Sequence, residues 1–557
     1  MLKVLIFICL FHIKCNCGNV FLNVKRNVFM GKKLISVLEG KPFAAFWRIP
    51  YCQPPLNKLR FKAPKPIDWY DGIFDFSDYS NEMCKRYYED RLYLSVYMPI
   101  TKNITMSLPV IVWLEENPDE NLKSPDFFIE EEVVFVSATY RTSIFGFLNT
   151  GDDFATGNMG AKDALKALNW VQDNISSFNG DPKRVTVAGM RNSATIVSSL
   201  LLSPLGQGLF KRLIMLSGSA LSPADYRPYN FDIMKKLYWM LNGPFERFNR
   251  SKLYNFLRNC STLELIQASQ NIFDSTEIRD NQRLINAFGP SIETSKNSFM
   301  NKYPLDIYKT WLTNTEAEVI MGFTNLESLY KLQGFVRDKK LLKYLNYNFQ
   351  YLLPFEGTKD DFGSSRYKNI RQKIKEFYFI NGTIREKSLR RYAKYVSDQV
   401  IYPVLRQARL QAEVSRANVY LYRFSLKGLL NIGRNPVNKN LSWYGATSGD
   451  EICYLFKCKS INDIYKSSEM SNERHFIKKF VRLLANFVKH GDPTPNGNDK
   501  ILDNLKWEPV RCAGTIRGLK LDFDEFKMID LPEEKRMKFW EQLKSEFFSE
   551  KDFKDEL

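Results

Sequence analysis

Between Val185 and Thr195 the chain reads Val-Thr-Val-Ala-Gly-Met-Arg-Asn-Ser-Ala-Thr. An apolar β-branched run, a glycine and the start of a helical pattern describe a strand, a sharp turn and a helix. A G-x-S-x-G turn in that setting lifts a serine clear of the backbone for attack on an acyl carbon. Gly189 opens the turn, but Arg191 stands where the serine would be. A guanidinium stays protonated at physiological pH and carries only donors, so it cannot attack a carbonyl. General bases are scarce as well. The chain has three histidines, of which His12 lies in an apolar N-terminal run, His475 in a charged helix and His490 in the structural motif Phe487-Val-Lys-His-Gly-Asp-Pro493. No cofactor or metal-ligand set is assigned.

The elements that must carry these residues are legible as short apolar runs: Pro109 to Leu114, Glu132 to Ser137, Arg184 to Ala188, Leu213 to Leu216, Glu318 to Met321 and Val419 to Phe424. Each suits a buried central strand. Helical patterns lie between several of them, such as Ala161 to Asn174 with Ala164, Leu165, Leu168 and Val171 on one face. Strands alternating with helices imply an α/β fold, a mostly parallel sheet covered on both sides. Internal repeats and low-complexity linkers are absent, so one large domain spanning 19–553 is expected despite the length of 557 residues.

Motifs along the chain identify a wider resemblance. Ile49-Pro-Tyr-Cys-Gln-Pro-Pro55, Leu59-Arg-Phe-Lys-Ala-Pro64 and Glu89-Asp-Arg-Leu-Tyr-Leu-Ser-Val-Tyr-Met-Pro99 are followed by Gly146-Phe-Leu148, Asn169-Trp-Val-Gln-Asp-Asn174 and Phe178-Asn-Gly-Asp-Pro182. In order and spacing they resemble the type-B carboxylesterase and cholinesterase family of α/β-hydrolases, from about Val24 to about Trp540. The resemblance implies the α/β-hydrolase fold, with residues 225–415 forming a helical insertion over the active-site gorge.

It also implies roles that this chain does not fill. Acyl transfer needs a nucleophile, a base, an acid that orients the base, and backbone donors for the oxyanion. The nucleophile position holds Arg191. The base position, in Gly445-Ala-Thr-Ser-Gly-Asp-Glu451, holds Ser448, whose hydroxyl is far too weak a base. The acid maps onto Glu327 in Gly322-Phe-Thr-Asn-Leu-Glu-Ser328. Where the family places glycines for the oxyanion hole, this chain has Glu115, Glu116, Asn117 and Pro118. Met190 replaces the glutamate before the nucleophile, and Ser193 is turned away by helical geometry. Glu327, deprived of its histidine, is expected to find a cation, with Arg191 within ion-pair distance of Glu327, Glu115 or Glu116.

Residues 1–18 resemble a secretory signal peptide, with Lys3 basic and Val4 to Ile13 apolar. Lys554, Asp555, Glu556 and Leu557 spell the retrieval address of the endoplasmic reticulum (ER). Asn-x-Ser/Thr acceptors at Asn103, Asn174, Asn249, Asn259, Asn381 and Asn440 fit that route. The mature chain keeps Cys52, Cys84, Cys260, Cys453, Cys458 and Cys512. Arg91 stands where the family pairs a cysteine with the one matching Cys84, so Cys52 with Cys84 is one candidate among fifteen pairings.

The formal charge is +18, and Lys331 to Lys394 holds sixteen Lys/Arg against six Asp/Glu. This reads as solvated amphipathic helices, with Tyr344, Tyr347, Phe349 and Tyr351 in the core; no nucleic-acid motif accompanies them. Later segments are too short or too charged to span a membrane.

These observations lead to a catalytically inactive carboxylesterase-like protein of the ER lumen that binds a protein partner. Triad-less family members such as neuroligins, neurotactin and glutactin act as adhesion or interaction proteins. Expected partners are the retrieval receptor, a lumenal protein, and a homodimer or a heterodimer with an esterase paralogue through Lys535 to Leu543. The alternatives are a carrier of an apolar ester or lipid and an ester hydrolase of altered mechanism. Because the address is read as a free C-terminus, deleting Lys554 to Leu557 should send the protein into the medium. Identical distribution of full-length and truncated forms between cells and medium would remove the ER assignment.

Overall fold

The computed structural model describes residues 14–16, 18–68, 71–78, 89–101, 106–116, 123–223, 231–243, 249–273, 287–295, 297–310, 316–355, 363–432, 443, 445–495 and 497–548. At its centre seven parallel strands lie side by side, in the spatial order Val134–Thr139, Leu108–Glu115, Gly180–Met190, Arg212–Leu216, Glu318–Thr324, Val419–Phe424, Arg517–Leu521. Six of the seven are the apolar runs of the sequence. The seventh, Arg-Gly-Leu-Lys-Leu, alternates charge and hydrophobe and escaped that reading. Antiparallel strands Asn19–Val24, Asn27–Ile35, Pro42–Pro50 and Tyr93–Pro99 extend one edge, and Phe526–Asp530 closes the other.

Side-chain alternation explains why the central strands are apolar throughout. Val185 and Val187 face one core with Leu213, Met215, Val319, Met321 and Leu421. Ala188, Ile214, Leu216, Ile320, Tyr420 and Tyr422 face a second core on the opposite side. The helices Met159–Asn174, Asn192–Leu202 and Leu389–Val414 cover the first face, and Ser471–His490 covers the second. Parallel strands require such cover on both faces. Arg141, just after the strand Val134–Thr139, clamps the first helix: its Nε and Nη2 donate to Asp163 at 2.8 and 2.7 Å, and its backbone N–H at 3.1 Å. Both residues are almost wholly buried.

Several expectations need correction. The strand after Val134 begins two residues later than the run at Glu132 suggested, because Glu132 turns the chain at φ 59°. Residues 225–415 are not an uninterrupted helical insertion, since the central strand Glu318–Thr324 passes through them. Tyr347 is 78% exposed rather than in the core, whereas Phe349 is buried. The one disulfide among the described residues joins Cys453 to Cys458, while Cys52, Cys260 and Cys512 are free thiols. The candidate partner of Cys52, Cys84, lies outside the described residues.

Other expectations meet the structure in part. Lys14–Asn16, at the tail of the expected leader, pairs with Asn19–Phe21; residues 1–13 and the tail from Lys554 to Leu557 lie outside the described residues, as do Asn103 and Asn440. Asn174 is buried and donates to Trp170 O at 2.8 Å, which makes it a poor glycan acceptor; Asn249, Asn259 and Asn381 are exposed. The segment Lys535 to Leu543 lies in the helix Glu534–Phe547, whose Met537, Trp540 and Leu543 are buried within the chain. Among the described residues no helix is long and apolar enough to cross a membrane.

Asp163→Asn should lower the folding free energy by about 3–5 kcal/mol, because it leaves Arg141 charged, buried and without its carboxylate. The measurement is the denaturant midpoint. A shift no larger than that of a surface Asp→Asn control would show that the clamp is not structural.

Candidate active site

Glu116, Arg191, Ser217 and Glu327 follow the carboxyl ends of adjacent parallel strands, and Ser448 follows the next strand by a longer connection. Open α/β sheets place ligand sites at this end. The turn at Arg191 is sharp. Arg191 has φ 54° and ψ −122°, and the helix Asn192–Leu202 begins immediately after it. A Cβ on Gly189 would stand 2.8 Å from the Ser193 backbone, and one on Gly218 2.3 Å from Arg191 O. The glycines are thus required by close packing. Arginine in this backbone region stores roughly 1–3 kcal/mol of strain, of the kind that clusters at functional sites.

The Arg191 side chain is exposed on one side and fastened on the other. Its Nε donates to Ser448 Oγ at 2.9 Å and its Nη2 to Ser448 O at 2.6 Å. Gly449, at φ 90°, makes room: a Cβ there would lie 2.8 Å from Nη2. The expected ion pair with Glu327, Glu115 or Glu116 does not form; among the described residues no carboxylate oxygen lies within 4.0 Å of the guanidinium. The reason is that each acid is engaged elsewhere. Glu115 pairs with Lys123, whose ammonium also lies 5.2 Å from the Trp113 and Phe456 ring centroids.

Glu116 turns onto the helix. Its Oε1 accepts from Ser193 N at 2.8 Å and its Oε2 from Asn192 Nδ2 at 3.4 Å. A helix N-terminus offers free backbone donors and a positive dipole end, so a carboxylate is stable there. Oxyanions of acyl transfer use backbone donors at such a turn; here Glu116 places a carboxylate beside it and takes the N–H of Ser193. Arg91 fixes the loop from behind by donating to Glu116 O at 2.6 Å and to Thr142 Oγ1 at 3.2 Å. Asn117 lies outside the described residues. Ser193 is buried and shares a 2.9 Å hydrogen bond with Tyr140 OH.

Glu327 is buried, with Oε1 accepting from Ser217 Oγ and from Thr324 N, both at 2.6 Å. Its Oε2 has no hydrogen-bond partner. Burial pushes its pKa up, while Ser217, Thr324, Ser448 and the Arg191 charge pull it back. Glu451 lies beneath the same loop, fully buried, with neither carboxyl oxygen partnered. Burial first, and then the neighbouring Glu327, push its pKa up to about 8. The Tyr422 hydroxyl, also unpartnered, feels both carboxyls.

The remaining histidines are remote from this chemistry. His475 is exposed on the helix Ser471–His490. His490 ends that helix beside Arg212 and Arg184, at the amino ends of the strands, and burial and those cations lower its pKa. The structure brings Arg191, Ser448 and Glu327 together and adds Arg91, Ser217 and Glu451, which the sequence had not singled out for the site. Arg91 carried a signal, a cation in a cysteine's place; Glu451 carried none, since an acid in a polar loop is ordinarily exposed.

Residues 22–540 match the model of the carboxylesterase family. Venom carboxylesterase-6 of Apis mellifera is 29% identical over 82% of this chain and 85% of its own length. Juvenile hormone esterase of Tribolium castaneum is 27% identical over 85% and 83%. The crystal structure of juvenile hormone esterase from Manduca sexta, with OTFP covalently attached, superposes with a TM-score of 0.76 at 22% identity, covering 95% of this chain and all of that one. The fold is that of the α/β-hydrolases.

The buried acids make stability pH-dependent. Glu451 has a carboxyl value of 4.5 when unfolded and about 8 when folded. Below the lower value it is protonated in both states; between the two, only the folded protein holds the proton. Stability therefore falls as pH rises through that window and levels above it. Glu451→Gln should flatten the dependence of melting temperature on pH between 5 and 8 and melt higher than the parent at pH 8. An unchanged slope would show that Glu451 is ionised in the folded protein.

Proposed function

The chain belongs to the carboxylesterase family, and we propose that it is a member without ester-hydrolase chemistry that acts by binding a protein partner in the lumen of the ER. The observation that carries the reading is the two-point attachment of Arg191 to Ser448. It joins the nucleophile and base positions through a cation and a weak base, neither of which performs its role. Glu116 puts a carboxylate at the helix N-terminus, where it would repel a developing oxyanion, and Glu327 spends its partnered oxygen on Ser217 and Thr324 N.

Hydrolysis by another serine is disfavoured by the same geometry. Ser193 is buried against Tyr140, and among the described residues it has no hydrogen bond to a histidine. Ser217 is spent on Glu327. The lumenal assignment draws on the leader-like N-terminus and the terminal Lys-Asp-Glu-Leu of the sequence. The named relatives are esterases, so loss of chemistry would be a departure within the family.

A fluorophosphonate probe reports on any activated serine. The purified protein should show no covalent labelling above a heat-denatured control, and specific labelling would overturn the reading. Arg191→Ser alone, and Arg191→Ser with Ser448→His, should remain near background in ester turnover while Glu116 holds the helix N-terminus, because the parts of such a site act as a unit. Turnover by the single variant would show that Glu116 does not block the site.

A further inference from the structure

Three helices begin with cations where the physics of a helix asks for anions. Lys339–Tyr347 carries Lys340 in its first turn, Ser365–Tyr378 carries Arg366 and Lys368, and Leu389–Val414 carries Arg390 and Arg391. Apart from the cap Asp338, which accepts from Lys340 N at 2.8 Å, no acid stands at any of these starts. The macrodipole favours the opposite arrangement, so this charge pattern does not serve the helices' own stability.

Hydrogen bonds bring parts of the three elements to one face. Arg371 Nη2 donates to Tyr347 O at 3.0 Å, and Asn346 Oδ1 accepts from Ile384 N at 2.8 Å. A Cβ on Gly382 would lie 3.8 Å from Lys375 Cβ. The last turn of Lys339–Tyr347, the second half of Ser365–Tyr378 and the turn leading into Leu389–Val414 therefore adjoin. Lys343, Arg385 and Lys387 are exposed there, while Arg371 and Lys375 are partly buried, one turn apart on one helix. Lys373 pairs with Glu546, but among the described residues none of these five lies within 4.0 Å of a carboxylate. Like charges four residues apart repel, and burial and the Arg371 charge lower the Lys375 pKa. Tyr347 and Ile380 are exposed among the cations.

We propose that the face formed by Lys343, Arg371, Lys375, Arg385 and Lys387, with Tyr347 and Ile380, is the docking surface for an acidic segment of a partner protein. The proposal rests on the reading that the chain acts by binding a protein, and it names that partner's chemistry. Carboxylates laid across the face supply the counter-charge that the chain itself does not, and exposed tyrosine and arginine are residues that protein interfaces favour. A second copy of this chain does not fit, because a two-fold contact would set the same cations against each other.

The test is fluorescence anisotropy of a labelled decaglutamate peptide titrated with the purified full-length protein, beside a polyserine peptide of equal length and phosphatidylserine vesicles. Decaglutamate should bind, more weakly as salt rises, and polyserine should not. Lys343→Glu with Lys375→Glu, and separately Arg385→Glu with Lys387→Glu, should each weaken binding about tenfold, because a one-signed surface draws its ligand collectively. Lys183 and Lys211 are exposed near the amino ends of two central strands. Changing both to Glu alters the net charge equally and should leave binding within about twofold, since salt screens charges remote from the ligand. Circular dichroism of each variant confirms folding before titration. No binding of decaglutamate, undiminished binding by both face variants, an equal loss in the control pair, or vesicles held through Lys343 and Lys375 in preference to the peptide would each overturn the proposal. Any of these would leave the fluorophosphonate result intact, so the two readings fail separately.

Discussion

A large side chain and a small one have exchanged places across the floor of this site, and the hydrogen bonds between them organise everything around it. In a serine esterase the elbow carries the small residue and the facing loop the imidazole; here the elbow carries Arg191 and the loop carries Ser448. The exchange conserves volume roughly, which is the kind of core change a fold tolerates best. It also makes the two positions a donor and an acceptor to each other. The elbow keeps its positive φ and its close-packed glycines with Arg191 at its apex.

Charge balance beneath the floor follows from that contact. Glu327 and Glu451 are both buried, and two ionised carboxyls at close range in a dry interior would be costly. The molecule answers in two ways. Ser217 and the Thr324 amide hold one oxygen of Glu327, and Glu451 retains its proton near neutrality. Arg191 helps both acids through space rather than by contact. On the other side of the elbow, Glu116 caps the helix terminus through Ser193 N, and Arg91 holds its loop in place. The two carboxylates of the altered loop thus have separate uses, one on Lys123 and one on the helix.

Much of the fold is legible in the sequence because the physics is local. Central parallel strands, buried on both faces, show as short apolar runs, and six of seven were identifiable on that ground. Arg517–Leu521 was not, since its charged positions interrupt the run. The positions of Arg191, Ser448 and Glu327 followed from flanking motifs. Their partners did not, because hydrogen bonding is decided by side-chain reach in three dimensions. The expected ion pair failed for this reason: burial of Glu327 predicts that it needs compensation, but not that a serine 110 residues away would supply it. The Cys453–Cys458 bond was equally closed to sequence, as six cysteines leave many pairings open.

A double-mutant cycle across Arg191 and Ser448 tests the central contact most directly. Arg191→Met keeps the length of the side chain without its donors, and Ser448→Ala removes the acceptor hydroxyl while leaving the carbonyl. Folding free energies of the parent, the two single variants and the double variant give the coupling. A charged hydrogen bond at this half-exposed site predicts a favourable coupling of about 1 kcal/mol. Additivity within about 0.3 kcal/mol would mean that the guanidinium does not rest on Ser448 in solution, and the account of the site would fail with it.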